Sequence, residues 1–178
     1  NLILFEFARD DPGGLRDIAD NYRLVVASGF DVCILSSADR DYGYCSEIHI
    51  WITPEDYENA SLMILLAYIL IGHPDWSDAE IEILVAAPEE RAAGEEAKIE
   101  ETLATGRIPV SSRNVRIFPT DANVDFSQLV AEDSTTADLV ILGVTMPRLS
   151  SKGVELLQRH PELNDVLFVC AEARLTID

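Results

Sequence analysis

Glu47-Ile-His-Ile-Trp-Ile52, Leu62-Met-Ile-Leu-Leu-Ala-Tyr-Ile-Leu-Ile71 and Ala79-Glu-Ile-Glu-Ile-Leu-Val-Ala86 follow one another inside residues 47–87. In the first, Ile48, Ile50 and Ile52 alternate with Glu47, His49 and Trp51, the period of two that belongs to a strand. The second has almost no polar relief, yet it is about half as long as a bilayer crossing requires. A helix that apolar and that short must lie against a sheet. The third, entered through Trp76, is another strand. Strand, helix and strand in this order place the unit at the centre of the core of an α/β fold.

The flanking chain extends the same pattern. Asn1-Leu-Ile-Leu-Phe-Glu-Phe7 reads as a strand, and Asp10-Asp-Pro-Gly-Gly14 supplies a cap and a proline for the helix that follows. Leu15, Ile18, Ala19, Tyr22, Val25 and Val26 recur at helical spacing until Gly29 stops them. Asp31-Val-Cys-Ile-Leu35 is the second strand. No helix separates it from residues 47–52, which predicts an antiparallel neighbour at a sheet edge. Residues 88–106 read as a helix with Ala92, Glu96, Ile99 and Leu103 on one stripe. Residues 114–118 are a strand and residues 125–132 a short helix. Residues 137–144 are an apolar strand of the doubly covered kind, followed by a helix capped by Ser150 and Ser151. Residues 165–170 and 174–177 then close the chain as an antiparallel hairpin. The expectation is one α/β domain over residues 1–178: a mostly parallel sheet, helices on both faces and antiparallel edge strands.

A chain of 178 residues can bury a sizeable core. Its charge is unusual: 32 acidic against 13 basic residues, a net −19, with Lys98 and Lys152 the only lysines. Such a surface repels nucleic-acid phosphates and anionic lipid headgroups, so neither nucleic acid nor direct lipid binding is expected. Cys33, Cys45 and Cys170 are an odd count without short spacing, as for free cysteines of a reducing compartment. The chain starts on a strand without an initiator Met, which suggests a piece excised from a longer protein.

The inventory for chemistry is thin. His49, His73 and His160 are scattered, with Cys45 four residues from His49, and make no zinc motif. Asp39 with Asp41, and Asp121 with Asp125, lack the glycine and terminal glutamate of a calcium loop. Ser36, Ser37 and Cys45 have no nucleophile elbow or pairable histidine. Arg9-Asp-Asp-Pro-Gly-Gly14 is not a dinucleotide-binding turn and carries carboxylates where a phosphate would approach. Arg148, Ser150 and Ser151 form a weak anion-binding pattern at a helix start. Trp51, Tyr57 and Trp76 suit core or partner contacts better than ligand stacking. No catalytic residue, cofactor-binding residue or metal ligand is assigned, no cofactor is expected, and the chain is not expected to be an enzyme.

Several segments together resemble the second half of the C-terminal cytoplasmic domain of the cation-chloride cotransporters, the sodium-potassium-chloride and potassium-chloride carriers. Ser46-Glu-Ile-His-Ile-Trp-Ile52 is similar to the family's IDVWW strand. Ala60-Ser-Leu-Met-Ile-Leu-Leu-Ala-Tyr-Ile-Leu70 is similar to its GLTLLIPYLL helix, and Trp76-Ser-Asp-Ala-Glu-Ile-Glu-Ile-Leu-Val85 to the following strand. Ser134-Thr-Thr-Ala-Asp-Leu-Val-Ile-Leu142, with Met146-Pro147, resembles SSTANIIVMSLP, and Val166-Leu-Phe-Val-Cys170 with Leu175-Thr-Ile177 resembles the family's ending. The serial order carries the resemblance. The departures are Ile52 for a second tryptophan, missing paired glycines before the helix, Cys170-Ala171 in place of an arginine, and no phosphorylatable insertion between Thr120 and Ser134. A compact prokaryotic-type homologue fits these. The resemblance implies a fold like the universal stress proteins and a non-catalytic regulatory and dimerising role at the cytoplasmic face of the cell membrane. The implied partners are a second copy and the transporter's own membrane domain. The alternative is a stress-type nucleotide-binding protein. Its loop would need closely spaced glycines, whereas Gly143 is followed next by Gly153.

Overall fold

The computed structural model describes residues 1–39, 42–55, 57–105, 112–121 and 124–171. The strands are β1 (Leu2–Ala8), β2 (Asp31–Ser37), β3 (Glu47–Ile52), β4 (Glu80–Pro88), β5 (Val115–Thr120), β6 (Leu139–Gly143) and β7 (Asp165–Cys170). The helices are α1 (Pro12–Ala27), α2 (Ala60–Ile71), α3 (Glu89–Thr105), α4 (Phe126–Ser134), α5 (Met146–Lys152) and α6 (Val154–Leu157). Among the described residues the strands form one sheet in the order β1-β2-β7-β6-β3-β4-β5.

The expected strand–helix–strand unit is present. β3 and β4 pair in parallel, with His49 opposite Glu82 and Trp51 opposite Leu84. Because a strand sends successive side chains to opposite faces, β3 feeds two cores. Ile48, Ile50 and Ile52 pack with Met63, Ile64 and Ala67 of α2 and with Ile99 of α3. Trp51, Leu84, Val140 and Phe168 face the other way, where Leu15 and Ile18 of α1, Val130 of α4 and Leu156 of α6 cover them. α2 is apolar all round but not covered all round: Tyr68 and Ile69 are exposed, Ile69 to 60%.

The sheet is mostly parallel, as expected, but its antiparallel seam lies between β2 and β7, inside the sheet. β1 and β2 pair in parallel and run opposite to the other five strands, while the far edge, β5, is parallel to its neighbour. The missing helix before β3 therefore did signal a reversal of direction, but not adjacency. β7 and β6 stand between β2 and β3, so residues 38–39 and 42–46 lie across the sheet's end, and β3 is interior. The expected closing strand at residues 174–177 lies outside the described residues. One helix boundary is corrected. α5 starts after Thr145 with Pro147 in its first turn, and Ser150 and Ser151 stand in its last turn, so neither is its N-cap. The chain breaks at Gly153, whose φ of 51° favours glycine, before α6 begins.

Cys33 and Cys170 are buried in opposite cores. Burial, and secondarily Asp31, pushes the Cys33 thiol up to about 12 and that of Cys170 to about 11. A thiol reacts as its thiolate, so mass spectrometry after mildly alkaline alkylation should find native chain modified at Cys45 alone. All three cysteines should be modified after denaturation. Native modification of Cys33 or Cys170 would contradict this packing.

Candidate functional site

Ligands of open α/β sheets bind outside the carboxyl ends of the strands, where the order of crossovers reverses. Here that point lies between β3, which leads outward to β4, and β6, which leads the opposite way to β7. A cleft of about 220 Å³ opens beside it, lined by Thr53, Glu55, Pro88, Asp121, Phe126 and Arg148 among others. Arg148 is thus at a real crevice, but Glu55 and Asp121 share its lining and oppose an anion.

The neighbouring backbone is already engaged by Asn59. Its position before α2 invites a helix cap, yet the side chain makes no cap hydrogen bond. Its amide instead donates to the Val144 carbonyl at 3.0 Å, and its carbonyl accepts from the Ala171 N–H at 2.8 Å. A buried side chain thereby ties the ends of β6 and β7, where a phosphate-binding loop would offer free N–H groups. Nothing local in the sequence marks this asparagine.

The antiparallel seam puts the loop after β1 at the other end of the sheet, away from the crevice. There the half-buried Arg9 donates to the Ser36 hydroxyl at 3.0 Å and to the carbonyls of Leu163 and Asn164. Burial lowers its pKa, opposed by Asp165 and Glu162. Asp11 accepts from the Gly13 N–H at 2.9 Å, serving the start of α1. His160, buried nearby, has Nδ1 3.6 Å from Glu162; burial pulls its pKa down against that carboxylate.

At this end two buried aspartates hold the crossing loop. Asp165 accepts from the Ala38 and Tyr42 N–H groups at 2.6 and 3.1 Å. Asp138, 1% exposed, accepts from the N–H groups of Tyr44, Ser46 and Glu47 and from the Ser46 hydroxyl, at 2.8–3.3 Å. Each stands where the loop passes its strand. Burial presses the Asp138 carboxyl upward, but the hydrogen bonds from Ser46, Tyr44 and Glu47 outweigh it and hold its pKa below the ordinary value.

The third cluster lies on the α4 side of β3 and β4. His49, 2% exposed, has Nδ1 2.8 Å from the Ser134 hydroxyl. Its Nε2 is 3.0 Å from Glu47 Oε1 and 3.9 Å from Glu82 Oε2. The Trp51 indole N–H also donates to Ser134, at 2.9 Å. Arg116 bridges Glu82 at 3.3 Å and Asp133 at 2.8 Å; these bonds overcome burial and raise its pKa.

Other candidates serve structure. Ser36 accepts from Arg9, Ser37 donates to the Phe7 carbonyl, and Asp125 caps α4 through the Ser127 N–H. Trp76 packs edge-on to Tyr42, and Tyr57 pairs with Thr102. His73 accepts from the Asp75 N–H in the turn after α2. Asp41 lies outside the described residues. Neighbour relations between distant strands create the Asp138 and Glu47–His49–Glu82 clusters, so no local motif announces them.

No protein-family model matches the chain, and no curated protein does. Its fold matches solved structures. One is the cytoplasmic domain of a prokaryotic cation chloride cotransporter, with a TM-score of 0.71 and 17% identity over 99% of this chain. A protein described as a universal stress protein from Pseudomonas aeruginosa matches with a TM-score of 0.54 and 19% identity over 96%. A protein of unknown function from Pseudomonas aeruginosa matches at 0.52 and 20% over 96%. The chain spans 66, 63 and 63% of those three structures.

Proposed function

We propose that this chain is a non-catalytic regulatory and dimerisation domain from the cytoplasmic side of a cation-chloride cotransporter. The carrying observation is the match to the cytoplasmic domain of such a carrier over 99% of the chain at a TM-score of 0.71, against 0.52–0.54 for the other two structures. The serial order of resembling segments supports the same reading. In it the domain regulates electroneutral chloride-coupled cation transport, and ion selection belongs to a membrane part outside this chain. No described helix is long and apolar enough to cross a membrane. Exposed apolar groups are on hand for self-association: Leu2 and Leu4 on edge strand β1, Tyr68 and Ile69 on α2.

The stress-type nucleotide reading is less well supported. Asn59 engages the carbonyl of Val144 and the N–H of Ala171, and Glu55 and Asp121 flank Arg148. Calorimetry with ATP, ADP and AMP separates the two readings, and stoichiometric nucleotide binding would favour the second. Sedimentation velocity across a wide concentration range is expected to show a monomer–dimer equilibrium. A strict monomer at the highest concentration removes the dimerisation part. Deletion of the domain from the full-length carrier is expected to alter transport or assembly, and unchanged transport and assembly removes the regulatory part.

A further inference from the structure

We infer that Glu47, His49 and Glu82 form a binding site for a divalent cation of the zinc class. Glu47 and His49 are two residues apart on β3 and so share a face, and Glu82 is the register partner of His49 on β4. One ligand atom from each lies within 4.8 Å of the other two. Zinc bound at about 2.1 Å with tetrahedral angles holds its ligand atoms roughly 3.4 Å apart. The observed 3.0 and 3.9 Å from His49 Nε2 to the two carboxylates bracket that spacing.

The histidine is the second, independent element. Its ring is buried and oriented from behind by the Ser134 hydroxyl, which the Trp51 indole also engages. Nε2 points at carboxylate oxygens, which accept hydrogen bonds and donate none. Between such groups that nitrogen needs either its proton or a metal ion. An imidazole fixed through its other nitrogen is the usual form of a metal-ligating histidine, and one imidazole with two carboxylates suits a borderline divalent ion. The carboxylates are positioned too. Thr136 holds the second oxygen of Glu47 at 3.3 Å, and Arg116 holds Glu82 at 3.3 Å. Arg116 is the cation a metal would compete with, but its bond to Asp133 is shorter, at 2.8 Å, and remains when Glu82 turns to a metal. The Glu47 and Glu82 side chains are 33 and 28% exposed, leaving an approach for the ion and an open coordination position for water. A metal on Nε2 leaves the neutral ring's proton on Nδ1, which then donates to the Ser134 hydroxyl 2.8 Å away.

Titration of the purified chain with zinc chloride, at physiological salt with excess magnesium to saturate diffuse acidic sites, tests the site. Saturable binding of one equivalent is expected, with a zinc-dependent shift of the His49 Nε2 resonance. His49→Gln disturbs a buried position, so the partly exposed ligands carry the test. Glu47→Gln and Glu82→Gln are each expected to weaken zinc binding about a hundredfold, since losing even an outer-shell partner costs about 10- to 100-fold. Glu90→Gln, on α3, should leave it unchanged. Absence of binding, a stoichiometry that does not saturate at one, an affinity in Glu47→Gln or Glu82→Gln equal to that of the unsubstituted chain, or an unmoved His49 resonance each overturns the site.

Discussion

Asp138→Ala is expected to destabilise the chain by about 3 kcal/mol, because several donors lose one buried charged acceptor and each buried donor left unmade costs about 1–3 kcal/mol. The carboxylate receives the N–H groups of Tyr44, Ser46 and Glu47 and the Ser46 hydroxyl. Those groups belong to the stretch that must pass β7 and β6 before entering β3. Without Asp138 the entry to the central strand loses its anchor, while Asp165 still holds Ala38 and Tyr42. Asp138→Asn should be nearly as damaging, since its amide turns a donor toward backbone donors. Urea denaturation reads the loss as a lower midpoint, and a change below about 1 kcal/mol would show that other contacts hold the loop.

The pH dependence has a definite sign. The Asp138 carboxyl is held below its ordinary value in the folded chain. Its contribution is therefore complete above the unfolded-state value of about 4 and is lost as pH falls through the lowered folded value. The stability gap between the native chain and Asp138→Asn should be constant from neutral pH down to mild acid and shrink below it. A gap that widened in acid would contradict the assignment.

Trp51→Ala is expected to cost about 4 kcal/mol, within the range for removing a buried aromatic from a close-packed core. Trp51 is 0% exposed, tilted against Phe118 at 5.1 Å and edge-on to Phe126 at 5.7 Å. β3, β5 and α4 meet on this one side chain. Its indole N–H also helps hold Ser134, which orients His49. Trp51→Phe keeps most of the ring packing and should lose about 1–2 kcal/mol, through the hydrogen bond and the missing volume. Equal losses in the two variants would mean that the hydrogen bond, not the packing, dominates. Thermal and urea unfolding of both variants distinguish these outcomes.

Most of the element pattern was legible from residue order. Periods of two and of about 3.6 report side-chain direction, which the backbone of each element sets locally. Residues 47–87 could therefore be read as strand, helix and strand, and the bare link between β2 and β3 as a change of direction. The start of α5 was missed because Ser150 and Ser151 look like caps, whereas Pro147 in the first turn and the positive φ of Gly153 decide its limits. Trp51, a pattern exception among isoleucines, is the core residue of the second face rather than a ligand platform.

Strand order was beyond local reading, and the functional geometry depends on it. Periodicity says which face a residue takes, not which strand lies beside it; that choice is made by pairing across tens of residues. Only the assembled sheet sets Glu82 opposite His49, brings Asp138 to a loop more than ninety residues earlier in the chain, and carries Asn59 to the ends of β6 and β7. It also moves the turn after β1 to the end of the sheet opposite the crevice, because one seam is antiparallel. Residue order by itself determined an acidic α/β chain with two apolar faces to its central strands, since charge and periodicity are written residue by residue. The tertiary structure alone decided which buried polar groups meet, because hydrogen bonds and ion sites need atoms within a few ångströms and only the fold supplies that proximity.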